Sequence, residues 1–182
     1  MKNYAMYYSY KSIGDVLIII FDNSLKPTRN ERINNVIVIY HDEQIIGYNI
    51  FDIKEIIKIK NEGMIYLPSE TFLNIVNSIL INAKQLPLEK KESSGYVVME
   101  VIEINSKEIT FNNGLKTKND FRLNVGNKVV VALPGTFLNN GQLINECHIC
   151  TNHELGIKDK EEKILILDKD EKVGEDFFAV EG

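Results

Sequence analysis

Two cysteines and two histidines lie within a short stretch near the end of the chain. Cys147 and Cys150 have the Cys-x2-Cys spacing of zinc sites, and His153 follows three residues later. Structural zinc sites need a fourth ligand, and the chain has no further cysteine. Because side chains alternate along an extended strand, Cys147 and Cys150 would also face opposite sides of a sheet. We therefore predict neither a metal nor a cofactor.

No set of residues has the spacing of a catalytic site. The chain has three histidines and lacks the Gly-x-Ser-x-Gly turn of hydrolases and the Gly-rich loops that bind phosphate. Acidic pairs such as Glu161-Glu162 lie in charged stretches, where carboxylates are usually solvated. We predict that the protein is not an enzyme and has no catalytic residues.

The segment from Lys107 to Lys128 is basic in an acidic chain. The net charge is −5; residues 1–88 balance to zero, so the excess lies in residues 89–182. Basic groups interleaved with aromatic rings, here Phe111 and Phe121, suit phosphate contacts and stacking on single-stranded or looped RNA. The alternative is a solubilising hairpin with both rings in the core. The predicted RNA-binding cations are Lys107, Lys116, Lys118, Arg122 and Lys128.

The first part of the chain predicts three strands and one helix. The Ile-rich run over residues 15–22 is typical of a strand covered on both faces, and residues 36–40 and 44–51 predict a hairpin. A helix begins after Ser69, whose side chain can cap it, and Pro87 prevents its continuation. The apolar stripe of this helix is Phe72, Ile75, Val76, Ile79 and Leu80.

The second part predicts short strands separated by Asn-Gly turns. Strands are expected over residues 95–104, 107–111, 128–133, 142–150 and 163–167. Short strands without long helices favour a small barrel or sandwich. Residues 84–94 contain a proline, a charge cluster and a serine pair, which indicates a linker between two domains.

Composition indicates a cytoplasmic protein. Two cysteines are too few for a disulfide framework, and the first residues lack the apolar stretch of a secretion signal. The longest apolar run, over residues 16–21, is far shorter than the roughly 20 residues that span a bilayer. No membrane association is expected.

Three motifs in the first part and two in the second resemble one bacterial family. Those in the first part are Gly14-Asp15-Val16-Leu17, Gly47-Tyr48-Asn49-Ile50-Phe51 and Leu67-Pro68-Ser69-Glu70; those in the second are residues 126–132 and 149–157. In this order the motifs resemble YtpR-type proteins, which join a domain of unknown function to an EMAP-type tRNA-binding OB-fold. The phenylalanyl-tRNA synthetase β chain carries the same OB module.

This resemblance implies an α+β protein, with a small α/β domain over residues 1–86 and an OB-fold-like β-barrel over residues 95–180. It implies a non-catalytic RNA-binding protein of translation, with tRNA or another structured RNA as its ligand. Thr151 joins the predicted RNA-binding residues, although Thr151 and Glu154 are expected chiefly to cap the turn at the barrel end. Segments that line the RNA face of the family are absent or altered, as in residues 119–122. The alternative is therefore a protein-interaction module, paired with a second copy or a synthetase.

The motif around Asn49 permits two interpretations. In a strand, Tyr48 and Ile50 point to one face and Asn49 and Phe51 to the other. If Asn49 is buried, it must bond polar groups, and we expect it to hold the backbone of the preceding turn. The alternative is a small pocket facing the linker, flanked by Tyr48 and Asn49.

Overall fold

The computed structural model describes residues 3–59, 62–119 and 122–179. The chain divides into two compact units, residues 1–92 and residues 93–182. It is mostly β-structure with few helices, and it contains a nearly closed, barrel-like sheet. The expected barrel-like sheet is present, whereas the expected α/β class of the N-terminal domain stays a prediction. In the described part of the chain, no helix is long and apolar enough to cross a membrane.

The N-terminal unit contains a six-stranded antiparallel sheet with strand order β3-β4-β5-β2-β1-β6. Its strands are β1 (Ala5–Tyr8), β2 (Val16–Ile20), β3 (Arg29–Ile33), β4 (Val36–His41), β5 (Gln44–Phe51) and β6 (Gly63–Ile65). Its helices are α1 (Tyr10–Ile13) and α2 (Glu70–Asn82), with a 3₁₀ turn at Ile53–Glu55. The expected strands correspond to β2, β4 and β5, whereas β1, β3 and β6 were not expected.

Helix α2 covers one face of this sheet. The Ser69 side chain accepts a hydrogen bond from the Phe72 amide at 3.3 Å, which confirms the predicted cap. The fully buried positions of α2 are Leu73, Val76 and Leu80. The predicted stripe omitted Leu73, so the buried face is rotated slightly from the expected one.

A glycine allows β2 and β5 to pair closely. A Cβ atom on Gly47 would lie 2.6 Å from the backbone oxygen of Ile19 on β2. Such a distance is shorter than any relaxed contact, so a side chain at this position would push the strands apart. The glycine that begins the Gly47–Phe51 motif therefore has a packing role.

The C-terminal unit contains a sheet with strand order β11-β10-β7-β8-β9, and β12 pairs with β10. Its strands are β7 (Tyr96–Ile104), β8 (Glu108–Phe111), β9 (Lys116–Lys118), β10 (Lys128–Ala132), β11 (His148–Ile149) and β12 (Ile166–Leu167). The expected strands over 142–150 and 163–167 are shorter than predicted, because parts of them form only isolated bridges. The core of this unit includes Met99, Val101, Ile109, Phe111, Val129, Val131 and Ile149.

One contact joins the two edges of this sheet, and a second set attaches residues 174–178 to β7. The Thr117 hydroxyl on edge strand β9 donates to the Cys147 carbonyl, next to β11, at 2.9 Å. The segment over residues 174–178 pairs with β7, and Asp176 accepts hydrogen bonds from both Ser93 and Ser94. The last segment of the chain thus holds the start of the barrel in place.

Candidate nucleic-acid interface

Three of the predicted cations lie on the β8–β9 hairpin. The strand register places Lys118 opposite Glu108 and Lys116 opposite Thr110, and both lysines are exposed. Lys107 is exposed in the turn before β8, and its carbonyl accepts a hydrogen bond from the Asn119 amide at 2.9 Å. This bond brings the backbones next to Lys107 and Lys118 together at the open end of the hairpin.

The Glu108 carboxylate shares the outer face of the hairpin with the lysines. Lys116 and Glu108 form an exposed ion pair at 3.2 Å, which partly satisfies the charge of Lys116. Lys107, Lys118 and the exposed Arg122 make no ion pair with another described residue. Within residues 3–59, 62–119 and 122–179, no carboxylate competes with an anionic ligand for these three cations.

Lys128 has a different environment from the hairpin lysines. It lies on β10, which β7 and β8 separate from β9 in the sheet. Its ammonium donates to the backbone carbonyls of Lys169 and Glu171, the latter at 2.6 Å. Lys128 therefore fixes the turn that contains Lys169 and Glu171. Lys128 was expected to bind phosphate, and this structural role was not predicted from the sequence.

Phe111, the described aromatic residue of the basic segment, offers no stacking surface. Phe111 is fully buried in the barrel core, so its ring is not accessible to a base. Phe121, the other ring predicted to lie within the basic segment, is outside the described residues, as is Asp120. The alternative expectation, that the ring belongs to the core, therefore holds for Phe111.

Thr151 and Glu154 form a reciprocal capping box. The Thr151 amide donates to Glu154 Oε2 at 2.8 Å, and the Glu154 amide donates to Thr151 Oγ1 at 3.3 Å. The Thr151 hydroxyl also donates to Glu162 Oε1 at 2.7 Å. Thr151 is thus engaged within the turn, and the expected capping is present.

His148 completes the hydrogen bonding of the Glu154 carboxylate. Its Nε2 lies 2.9 Å from both Glu154 oxygens. Burial alone would raise the pKa of Glu154, but hydrogen bonds from His148 and Thr151 outweigh it and hold the pKa below its ordinary value. Glu154 is therefore a structural anion at neutral pH.

A groove separates β9 from the segment over residues 142–149, which ends in β11. Its volume is about 520 Å³, within the range of ligand-binding pockets, and Thr117 and Lys118 line its β9 side. Gln142, Asn145 and Glu146 line the opposite side. This wall was not expected, because residues 142–146 were predicted as part of a strand but lie outside the strands of the sheet. We call this feature the β9 groove.

The two cysteines flank β11, Cys150 in a buried and Cys147 in a half-buried environment. Among the described residues, no group of three or more His, Cys, Asp or Glu side chains could hold a metal ion. Burial raises the pKa of Cys150 to about 12 and also raises the pKa of Cys147. Both thiols therefore stay protonated and weakly nucleophilic near neutral pH.

The N-terminal unit contains a second cavity, of about 320 Å³. Tyr48 lines it together with residues 86–89 of the expected linker, as one interpretation of the Gly47–Phe51 motif proposed. Asn49 lies on the opposite face of β5, between Ile18 and Ile37 of the neighbouring strands. It is only half-buried and makes no side-chain hydrogen bond to a described residue. The expectation that Asn49 is buried and holds the turn is wrong, because its face of the sheet leaves the amide partly accessible.

Residues 23–85 match the model of a family described as a domain of unknown function (DUF4479). The match extends from the segment before β3 through helix α2. It supports the expected domain of unknown function in the N-terminal region, which is one part of the YtpR-type resemblance. No curated protein matches the chain.

Proposed function

We propose that the protein is a non-catalytic RNA-binding protein that contacts tRNA through an OB-fold-like C-terminal barrel. The nearly closed barrel of short antiparallel strands is compatible with an OB-fold. The observation that carries the proposal is the position of Lys107 and Lys118, which lie together at one end of the β8–β9 hairpin beside the β9 groove. The resemblance of the C-terminal motifs to a tRNA-binding module supplies the class of RNA.

The mechanism is electrostatic, with few contacts. Lys107, Lys118 and Arg122 bind phosphates, and Lys116 contributes less because Glu108 shares its charge. Three phosphate contacts to a single strand give log K a slope of about −2 against log salt. Raising the salt from about 50 to about 200 mM should therefore weaken binding about twentyfold.

Fluorescence anisotropy with labelled bulk tRNA tests the proposal. The double variant Lys107→Gln/Lys118→Gln removes two phosphate contacts, so its salt slope should fall to about −0.7. The matched control, Lys158→Gln/Lys160→Gln, removes the same charge from exposed positions of the same unit and should bind as wild type does. Absence of tRNA binding by micromolar wild-type protein at low salt would refute the proposal.

A second candidate function is protein association through the N-terminal sheet. The face opposite to α2 carries a set of apolar side chains that lie outside the core cluster of that unit. They are Tyr7, Ile18, Ile20, Ile37, Ile39 and Phe51. If this face pairs with a second copy, Ile37→Lys should lower the molar mass measured by light scattering. The control Ile81→Lys, at an exposed position of α2, should leave the molar mass unchanged. A wild-type protein that is monomeric at every concentration would exclude a homodimer.

A further inference from the structure

The two walls of the β9 groove differ in charge. Lys118 lies on the β9 wall, with Lys107 adjacent to it at the open end of the hairpin. Gln142, Asn145 and Glu146 form the other wall, and all three are exposed. A phosphate is attracted to the first wall and repelled by the carboxylate of the second. The groove therefore orients any nucleic-acid strand that enters it.

The width of the groove is fixed by contacts on both of its walls. Ile144 and Ile149 are buried beneath the groove and contribute to its lining. The hydrogen bond from the Thr117 hydroxyl to the Cys147 carbonyl spans the groove at 2.9 Å and ties the two walls together.

We propose that the β9 groove binds one unpaired RNA strand, with its phosphates on the Lys118 wall and its base edges against Gln142, Asn145 and Glu146. This inference rests on the proposed function and specifies which form of RNA the site takes. A duplex has two phosphate backbones, and one of them would approach the Glu146 wall.

The chemistry of the second wall is suited to base edges. The amides of Gln142 and Asn145 each offer two donors and one acceptor oxygen, which match the mixed edges of unpaired bases. The Glu146 carboxylate only accepts hydrogen bonds, so it favours bases with exposed amino groups, such as cytosine. Neither amide side chain is hydrogen-bonded to another described residue, so no such bond has to break before the amide binds a base.

Three labelled RNAs of matched length serve as probes: an unpaired oligonucleotide, a blunt duplex of the same sequence and unmodified tRNA. Wild-type protein should bind the unpaired oligonucleotide at least about tenfold more tightly than the duplex, because only unpaired bases offer their Watson–Crick edges to the second wall. Equal affinity for the duplex and the unpaired strand would overturn the inference and leave the proposed function intact. Failure to bind all three RNAs would instead refute the proposed function.

Variants separate the two walls. Gln142→Ala/Asn145→Ala should weaken binding of the unpaired strand about tenfold or more and leave duplex binding unchanged, because it removes base-edge hydrogen bonds. Lys118→Gln should weaken both RNAs by the same factor. The matched amide control is Gln44→Ala/Asn74→Ala, at exposed positions of the N-terminal unit.

Crosslinking of the wild-type protein does not depend on how the variants fold. A 4-thiouridine base in the unpaired strand should crosslink within residues 142–149. Crosslinks confined to other segments, or unchanged binding by the folded Gln142→Ala/Asn145→Ala variant, would overturn the inference.

Discussion

The carboxylate of Asp176 joins the last segment of the C-terminal unit to its first strand. It accepts hydrogen bonds from the Ser94 amide and hydroxyl at 2.6 Å each, from the Ser93 hydroxyl at 2.8 Å and from the Phe178 amide at 2.9 Å. Replacing Asp176 by alanine removes all four bonds at once. The amide and hydroxyl of Ser94, which is buried, would then lose their hydrogen-bond acceptor.

The expected loss of stability is large for a single substitution. A hydrogen bond to a charged group contributes about 1.5–3 kcal/mol, but water can replace part of what a half-exposed carboxylate provides. We therefore expect Asp176→Ala to lower the free energy of unfolding by about 3 kcal/mol, less than four full bonds would suggest. For a unit of this size, this change corresponds to a fall in Tm of more than about 10 °C.

The pH dependence gives the prediction a second signature. Burial alone would raise the pKa of Asp176, but hydrogen bonds from Ser94 and its neighbours hold the pKa below its ordinary value. The stabilisation is therefore fully present above the ordinary pKa of about 3.9 and is lost as the pH falls through the lower folded value. Asp176→Asn should remove this acid-dependent contribution.

Circular dichroism melts and hydrogen exchange over residues 93–98 measure the effect. The matched control is Asp170→Ala, which removes an exposed carboxylate from the same unit and should leave Tm nearly unchanged. An Asp176→Ala protein that melts within about 2 °C of wild type, with unchanged exchange at the start of β7, would refute the reasoning.

Three further substitutions test other contacts. Gly47→Ala should destabilise the N-terminal unit by about 2 kcal/mol or more in denaturant titrations, because its Cβ would meet the Ile19 oxygen at 2.6 Å; an unchanged midpoint would contradict this. Glu154→Gln should lower Tm at neutral pH and make Tm less dependent on pH in acid. Hydrogen bonds, including that from His148, keep the pKa of Glu154 low, so the stabilisation by the ionised carboxylate is lost as the pH falls through that pKa. Asn77→Ala should speed amide exchange just after α2, because its side chain holds that segment through two hydrogen bonds; unchanged exchange would show that other contacts fix it.

Much of the N-terminal fold could be predicted because its signals are local. Strands β2, β4 and β5 have continuous or alternating apolar patterns, and α2 has both a cap and a stripe. Strand β3 was not predicted because it is a mostly exposed edge strand rich in charged residues, and β6 was not predicted because it has only three residues. Their pairing depends on partners elsewhere in the chain, which periodicity cannot indicate.

The hydrogen-bonded turns show the same division between local and distant signals. The capping box of Thr151 and Glu154 spans three residues, so the sequence alone indicates it. The bonds of Asp176 to Ser93 and Ser94 span more than 80 residues, and no sequence pattern marks them. The contacts that hold residues 174–178 against the start of β7 therefore become visible only in the structure.

The predicted cations illustrate why charge in a sequence is not charge at a site. Lys118 and Lys128 contribute equally to the count of basic residues, but an ammonium can bind a phosphate only if internal acceptors do not already hold it. The acceptors of Lys128 are carbonyls 41 and 43 residues away, so its engagement depends on the folded chain. Lys118 lies on a short edge strand beside a groove and is exposed. The fold thus reduces a basic stretch to a smaller set of available cations, and this difference is why the proposed interface centres on the open end of the hairpin.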